Sequence, residues 1–188
     1  VGGCFFLNDK PLNGASFGAG EVGHTTVYIN GEMCSCGNRG CLETVASVKA
    51  LLKQAYEKYP ENKDSKIYNG KEIESVSDIK TEDLYEAAKN GDDLAISLIT
   101  DMGEKIGIGI ANIINILNPE LIVINGEIIS TGEILLTPII ETVKKRGFTN
   151  SVNATGIVLS KLGNVAYLKG AVVLAMQSVF DNPENVEV

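Results

Sequence analysis

The chain's sole histidine and three of its four cysteines fall within eighteen residues, as His24, Cys34, Cys36 and Cys41. No other feature constrains the fold as tightly. Thiolates and an imidazole are the usual zinc ligands, and four of them complete a tetrahedron with no open position, the mark of a structural rather than a catalytic ion. Gly37 and Gly40 let the chain curl between Cys36 and Cys41, and the Asn30-Gly31 turn would return the segment carrying His24 to the cysteines. Taken singly, each residue has a plainer reading: a buried thiol, a disulfide, a satisfied histidine. A Cys-X-Cys pair rarely closes on itself, however, and three cysteines leave an odd thiol, so the set together points to Zn2+. Cys4 stands outside the cluster and is expected as a buried core thiol.

Composition narrows the partners. With 16 Lys and Arg against 24 Asp and Glu, the 188-residue chain carries a net charge of −8. Binding to nucleic acid or to an anionic membrane rests on clustered cations, which argues against either partner for this segment. No apolar run reaches the roughly 18 residues of a membrane span. The longest, from Ile106 to Leu117, is interrupted by Gly107, Gly109, Asn112 and Asn115. No secretory signal is visible. A start at Val1 rather than Met reads as part of a longer protein.

Local patterns predict an α/β chain. Asn8-Asp9-Lys10-Pro11 reads as a turn, Thr25–Ile29 as a strand, and Glu43–Tyr59 as a helix stopped by Pro60. Residues 61–80 are polar and read as a surface excursion. Thr81 is the expected N-cap of a short helix ending at Asn90-Gly91. Asp92 or Asp93 caps a long helix that ends before Asn118-Pro119. Gly103, Gly107 and Gly109 lie inside it, where each costs about 1 kcal/mol against Ala. Close packing against a neighbour would offset that cost, either in the core or at a lobe or dimer interface. Leu121–Ile124 reads as a buried strand, Glu133–Arg146 as a helix, Ile157–Leu159 as a strand, and Asn164–Phe180 as a final apolar helix with a polar tail at 183–188. Alternating helices and strands argue for parallel pairing.

Two elements, Glu21-x-Gly-His24 and Cys34-x-Cys36-Gly-x-x-Gly-Cys41-x-Glu43, resemble those of the ROK family of bacterial sugar kinases and sugar-responsive transcriptional repressors. The likeness continues through Asn115–Gly126 and Leu162-Gly163 to Gly170-Ala171. It implies the C-terminal lobe of an actin-like ATPase (ribonuclease H-like) fold over residues 1–182, with a zinc-containing loop at 24–43. It also implies a sugar held in the cleft between lobes by Glu21, His24 and Glu43, and a cytoplasmic location. The chemistry is coherent: carboxylates accept from vicinal hydroxyls, and a zinc-bound imidazole keeps its second nitrogen for one more. The plainer roles are a carboxylate partner of His24 for Glu21 and a favourable first-turn carboxylate for Glu43.

Kinases of this family carry an Asp-x-Gly-x-Thr phosphate loop, a catalytic Asp in an Asn-Asp step, and a second Gly-rich loop. The first is absent, Asn8-Asp9 falls downstream of the catalytic position, and Val1-Gly2-Gly3 resembles only the tail of the second loop. This segment alone is therefore not expected to phosphorylate a sugar. Asn125-Gly126-Glu127 replaces the consecutive glycines that kinases keep near the adenosine, and the wording around Cys41 and Phe180 favours the repressor branch. The resemblance thus implies the sugar-sensing and dimerisation part of a repressor, a homodimer or higher homo-oligomer. Such a protein would touch DNA only through a winged-helix domain outside this chain. The alternatives are the C-terminal lobe of a zinc-containing sugar kinase, or a dimerisation module without a ligand.

Overall fold

Helix α4 (Asp93–Leu117) is the spine of the computed structural model, which describes residues 1–181. The tail expected at 183–188 lies outside the described residues. Asp92 is the N-cap of α4, and its carboxylate accepts from the Ala95 amide at 2.9 Å. The same carboxylate accepts from Ser65 Oγ at 3.0 Å and from the Lys66 amide at 2.8 Å. Burial opposes its ionisation, but these donors outweigh it and hold the carboxyl below its usual range. At the other end Asn118 adopts the left-handed conformation, φ 45°, and its amide bonds the Ile114 carbonyl at 2.9 Å.

The glycines of α4 are explained within the chain. A Cβ at Gly103 would stand 2.8 Å from Pro138 Cγ, and one at Gly107 would stand 2.6 Å from Thr142 Cβ and 2.9 Å from the Ile139 carbonyl. Both neighbours belong to α5 (Glu133–Arg146), so the two helices meet at backbone distance. Pro138, which breaks the hydrogen-bond ladder of α5, fits its ring into the space Gly103 leaves. Core packing, rather than a lobe or dimer interface, accounts for these two positions. Ile99, Ile114, Leu135 and Ile139 are fully buried around the contact.

Helix α3 (Thr81–Lys89) packs on α4, and Leu84 and Tyr85 lie in the same core. Thr81 is the first helical residue rather than the cap; Lys80 holds the cap position without a side-chain bond. The helix expected over Glu43–Tyr59 is two, α1 (Glu43–Ala46) and α2 (Val48–Lys58). They part at Ser47, which is extended and caps α2 by accepting from the Ala50 amide at 3.1 Å. Residues 61–80 are not a surface excursion. Ile67, Tyr68, Ile73 and Ile79 are buried, and Tyr68 donates to the Ala55 carbonyl at 2.7 Å. Their apolar residues are spaced irregularly along short 3-10 turns, so no helical or strand period reveals them.

Phe6–Leu7 (β1) and Lys10–Pro11 (β2) pair as a small antiparallel hairpin, turned by Asn8 and Asp9 at φ 52° and 63°. Leu121–Ile124 (β3) and Gly156–Leu159 (β4) pair in parallel, Leu121 opposite Gly156, with α5 and α6 (Thr149–Ala154) between them in the chain. The strand β3 is covered on one face only: Leu121 and Val123 are more than half exposed. A 3-10 turn at Gly163–Val165 leads into α7 (Ala166–Asp181), whose Leu168 and Val172 are exposed. Cys4 is also exposed, because the segment before β1 packs on no core element. No helix among the described residues is long and apolar enough to cross a membrane.

Gly107→Ala should lower stability by about 1–3 kcal/mol in urea denaturation, since Thr142 and the Ile139 backbone must move. Gly170→Ala in α7, where nothing lies within 4 Å, should be neutral or stabilising by up to about 1 kcal/mol. Asp92→Ala should lower stability by about 1–2 kcal/mol at neutral pH. A depressed carboxyl stabilises above its unfolded value, near 3.9, and that stability is lost as pH falls through the folded value. The difference between Asp92→Ala and the parent should therefore shrink on acidification in paired melts.

Candidate metal centre and the carboxylates beside it

A short 3-10 turn, Val22–His24, delivers the histidine, and Thr25 Oγ1 ties its end to the Val22 carbonyl at 2.7 Å. The strand expected over Thr25–Ile29 is reduced to a single bridge, Thr26 to Cys41. Beyond it the chain turns, and the amides of Val27 and Tyr28 bond the Gly40 carbonyl at 2.8 and 3.1 Å. The Gly31 amide then closes a turn onto the Tyr28 carbonyl at 3.0 Å. Gly40, at φ 67°, is required here, since a Cβ would collide with the Tyr28 carbonyl. This crossing spends on the loop the backbone bonds a strand would have used.

The cysteines occupy a tight loop within the same crossing. Met33 and Arg39 form a bridge, the Cys34 amide bonds the Asn38 carbonyl at 2.8 Å, and the Gly37 amide bonds the Cys34 carbonyl at 3.0 Å. Asn38 Nδ2 reaches across to Thr26 Oγ1 at 3.0 Å and pins the cysteine loop to the histidine segment. Neither Asn38 nor Thr26 stands out in the sequence, because a bond between two loops twelve residues apart has no periodic signal.

Together these folds bring one ligand atom each from His24, Cys34, Cys36 and Cys41 to within 4.8 Å of one another. His24 Nδ1 is 3.5 Å from Cys34 Sγ, and Cys36 Sγ is 3.7 Å from Cys41 Sγ. A tetrahedral zinc ion, with sulfur at about 2.3 Å and nitrogen at about 2.0 Å, has nitrogen–sulfur edges of about 3.5 Å and sulfur–sulfur edges of about 3.8 Å. The donor set and its spacing fit a metal ion. Cys34 and Cys41 are buried and Cys36 is exposed. The Cys36 amide, with smaller help from the Cys36, His24 and Cys41 side chains, lowers the Cys34 thiol to about 6. Burial, followed by the other two sulfurs, raises Cys41 to about 12. Without a cation the site does not favour three thiolates at once; a bound dication would reverse that balance.

The three residues implied as sugar contacts lie beside this cluster. With Nδ1 facing the sulfurs, His24 points Nε2 towards Glu21, whose Oε2 is 3.7 Å away and largely exposed. Glu43 is the first residue of α1, and its Oε2 lies 2.7 Å from the backbone nitrogen of Val1. Leu42, between Cys41 and Glu43, places its side chain over Gly109 of α4, where a Cβ would come within 2.6 Å. The site is thereby keyed to the spine. A groove of about 730 Å³ between the Tyr28–Glu32 turn and α2 is lined by none of these residues. Farther away, Glu127 is exposed at the start of the turn after β3, and the neighbouring Asn125 Oδ1 is buried without a partner among the described residues.

The chain is 33% identical over 184 residues to the xylose repressor of Caldicellulosiruptor bescii, covering 98% of this chain and 45% of that protein. It is 35% identical over 178 residues to the glucokinase of Halalkalibacterium halodurans, covering 94% of this chain and 53% of that one. The chain thus spans about half the length of the curated relatives it matches. A ROK family glucokinase from Streptomyces griseus, solved with glucose and AMPPNP, superposes with a TM-score of 0.82 at 27% identity, over 94% of this chain and 57% of that one. The ROK family model matches residues 1–178, and with these relatives on both its repressor and its kinase sides the chain belongs to the ROK family.

Proposed function

We propose that the chain is the sugar-sensing part of a ROK transcriptional repressor, the C-terminal lobe of an actin-like ATPase fold with a structural zinc. The observation that carries this reading is the orientation of His24. Its Nδ1 faces the sulfurs while Nε2 turns to Glu21, and Glu43 stands two residues after Cys41 at the start of α1. His24, Cys34, Cys36 and Cys41 would hold the ion, which would lock the imidazole so that Nε2 meets one hydroxyl in a constant direction. Glu21 and Glu43 would accept from neighbouring hydroxyls of the same sugar. The zinc would shape the site without taking part in chemistry.

The repressor assignment is supported by the xylose repressor relative and by Asn125-Gly126-Glu127. Glu127 sets a negative charge at the loop after β3, where the resemblance to the kinases puts the adenosine of a nucleotide. Glucokinase relatives of similar identity favour a second reading, the C-terminal lobe of a sugar kinase. The metal and sugar roles are common to both. In the repressor, a cytoplasmic homo-oligomer, sugar binding would couple to DNA-binding heads carried elsewhere in the protein, by a few kcal/mol.

Protein purified without added metal should contain about one zinc per chain by elemental analysis. Cys36→Ser should lose the ion and several kcal/mol of stability, because metal binding here is folding energy. A fully folded, metal-free protein would defeat the zinc reading. In the full-length protein a saturating sugar should raise the melting temperature, by about 2.7 kcal/mol of added stability at a hundredfold excess over Kd. Glu43→Ala or His24→Ala should abolish that shift, and an unchanged shift removes both from the site. ATP-dependent phosphorylation of the same sugar would replace the repressor reading with the kinase one.

A further inference from the structure

The four ligands are unequally protected, and this has a chemical consequence. Cys34 and Cys41 are buried, whereas Cys36 is exposed. Its sulfur is 3.7 Å from that of Cys41. No neighbouring side chain or backbone stands over the residue that follows it, since a Cβ at Gly37 would meet nothing within 4 Å. Cys41 is anchored: it is fully buried, bridged to Thr26 and followed directly by Leu42 and α1. A disulfide needs its sulfurs about 2.05 Å apart, which a movement of Cys36 alone can supply. Cys34, two residues from Cys36, is poorly placed to close on it.

We propose that Cys36 is an oxidation site of this chain, at which a peroxide drives formation of a Cys36–Cys41 disulfide and expulsion of the bound zinc. The inference rests on the zinc reading above. In the first step the Cys36 sulfur attacks one peroxide oxygen. The O–O bond breaks, the departing hydroxide takes a proton from solvent and leaves as water, and Cys36 becomes a sulfenic acid. In the second the Cys41 thiolate attacks that sulfur. The S–S bond forms, the S–O bond breaks, and the departing hydroxide takes up a proton as the second water. Two thiolates have given two electrons, solvent has given two protons, and the peroxide has become two waters. Only His24 and Cys34 remain as donors, too few to hold the ion, and His24 loses the bond that orients it towards Glu21. A dithiol reductant reverses the reaction by thiol–disulfide exchange.

The test uses the zinc-loaded full-length protein carrying Cys4→Ser, which removes the other exposed thiol among the described residues. Hydrogen peroxide is added while a chromophoric chelator reports free zinc, and peptide mapping identifies the disulfide. About one zinc should appear per Cys36–Cys41 bond formed, and dithiothreitol with added zinc should restore the metal content. Cys36→His keeps four zinc donors but removes the reactive sulfur, and should lose zinc at least about tenfold more slowly. A disulfide through Cys34, a Cys36 sulfinic acid with zinc retained, or equally fast loss from Cys36→His would overturn the proposal. Metal content before oxidant is added tests the zinc reading separately; a chain that holds none removes the expulsion along with it.

Discussion

The approach of α4 and α5 at backbone distance is the constraint on which the rest of the structure depends. Gly103 and Gly107 leave no side chain between the helices, so Pro138 and Thr142 of α5 lie directly on the α4 backbone. A helix 25 residues long, with apolar residues through most of its circumference, needs partners on several sides. The helix α5 takes one, α3 and the 61–80 segment another, and α1 with α2 a third. The conformational freedom that glycine surrenders within a helix is offset by dispersion contacts that larger residues would prevent.

That spine also determines where the ligand cluster stands. Leu42 follows the metal-ligand candidate Cys41 and precedes Glu43, and its side chain fills the notch at Gly109 of α4. Cys41 and the start of α1 are thereby fixed to the core. The opposite part of the cluster, Cys36, faces solvent on a loop held by turn hydrogen bonds. A buried side and an exposed side of one four-residue group suit a site that must hold an imidazole still and can also be opened by chemistry at one sulfur. The chain is similar to a xylose repressor and to a glucokinase, and in our reading the cluster would serve either role by orienting a ring rather than by reacting.

Much of this was legible along the chain. The helices over Asp93–Leu117 and Glu133–Arg146 and the pair of short strands declared themselves through apolar period and through Asp92, Asn118 and Gly126 at their ends. The ligand quartet was legible because soft donors are rare and their crowding is not expected by chance. What escaped was structure without period. Ile67, Tyr68, Ile73 and Ile79 are core residues within a polar stretch, and they become visible only when Asp92 draws Ser65 and Lys66 onto the cap of α4. Thr25–Ile29 has the β-branched composition of a strand, yet its amides are taken by Gly40. Cys4 has the residue type of a core thiol, but no core element lies against it.

By itself, then, the sequence determined the ligand types, the acidic charge, the helix ends and the family, because these depend on residue identity and on spacing within one element. Only the tertiary structure decided which nitrogen of His24 faces the sulfurs, that Glu21 lies beside the other, and that Gly109 receives Leu42. It also decided that Cys36, alone of the three clustered cysteines, meets solvent. Each of these is a contact between segments brought together by packing, and its energy depends on distances that no local pattern along a chain encodes.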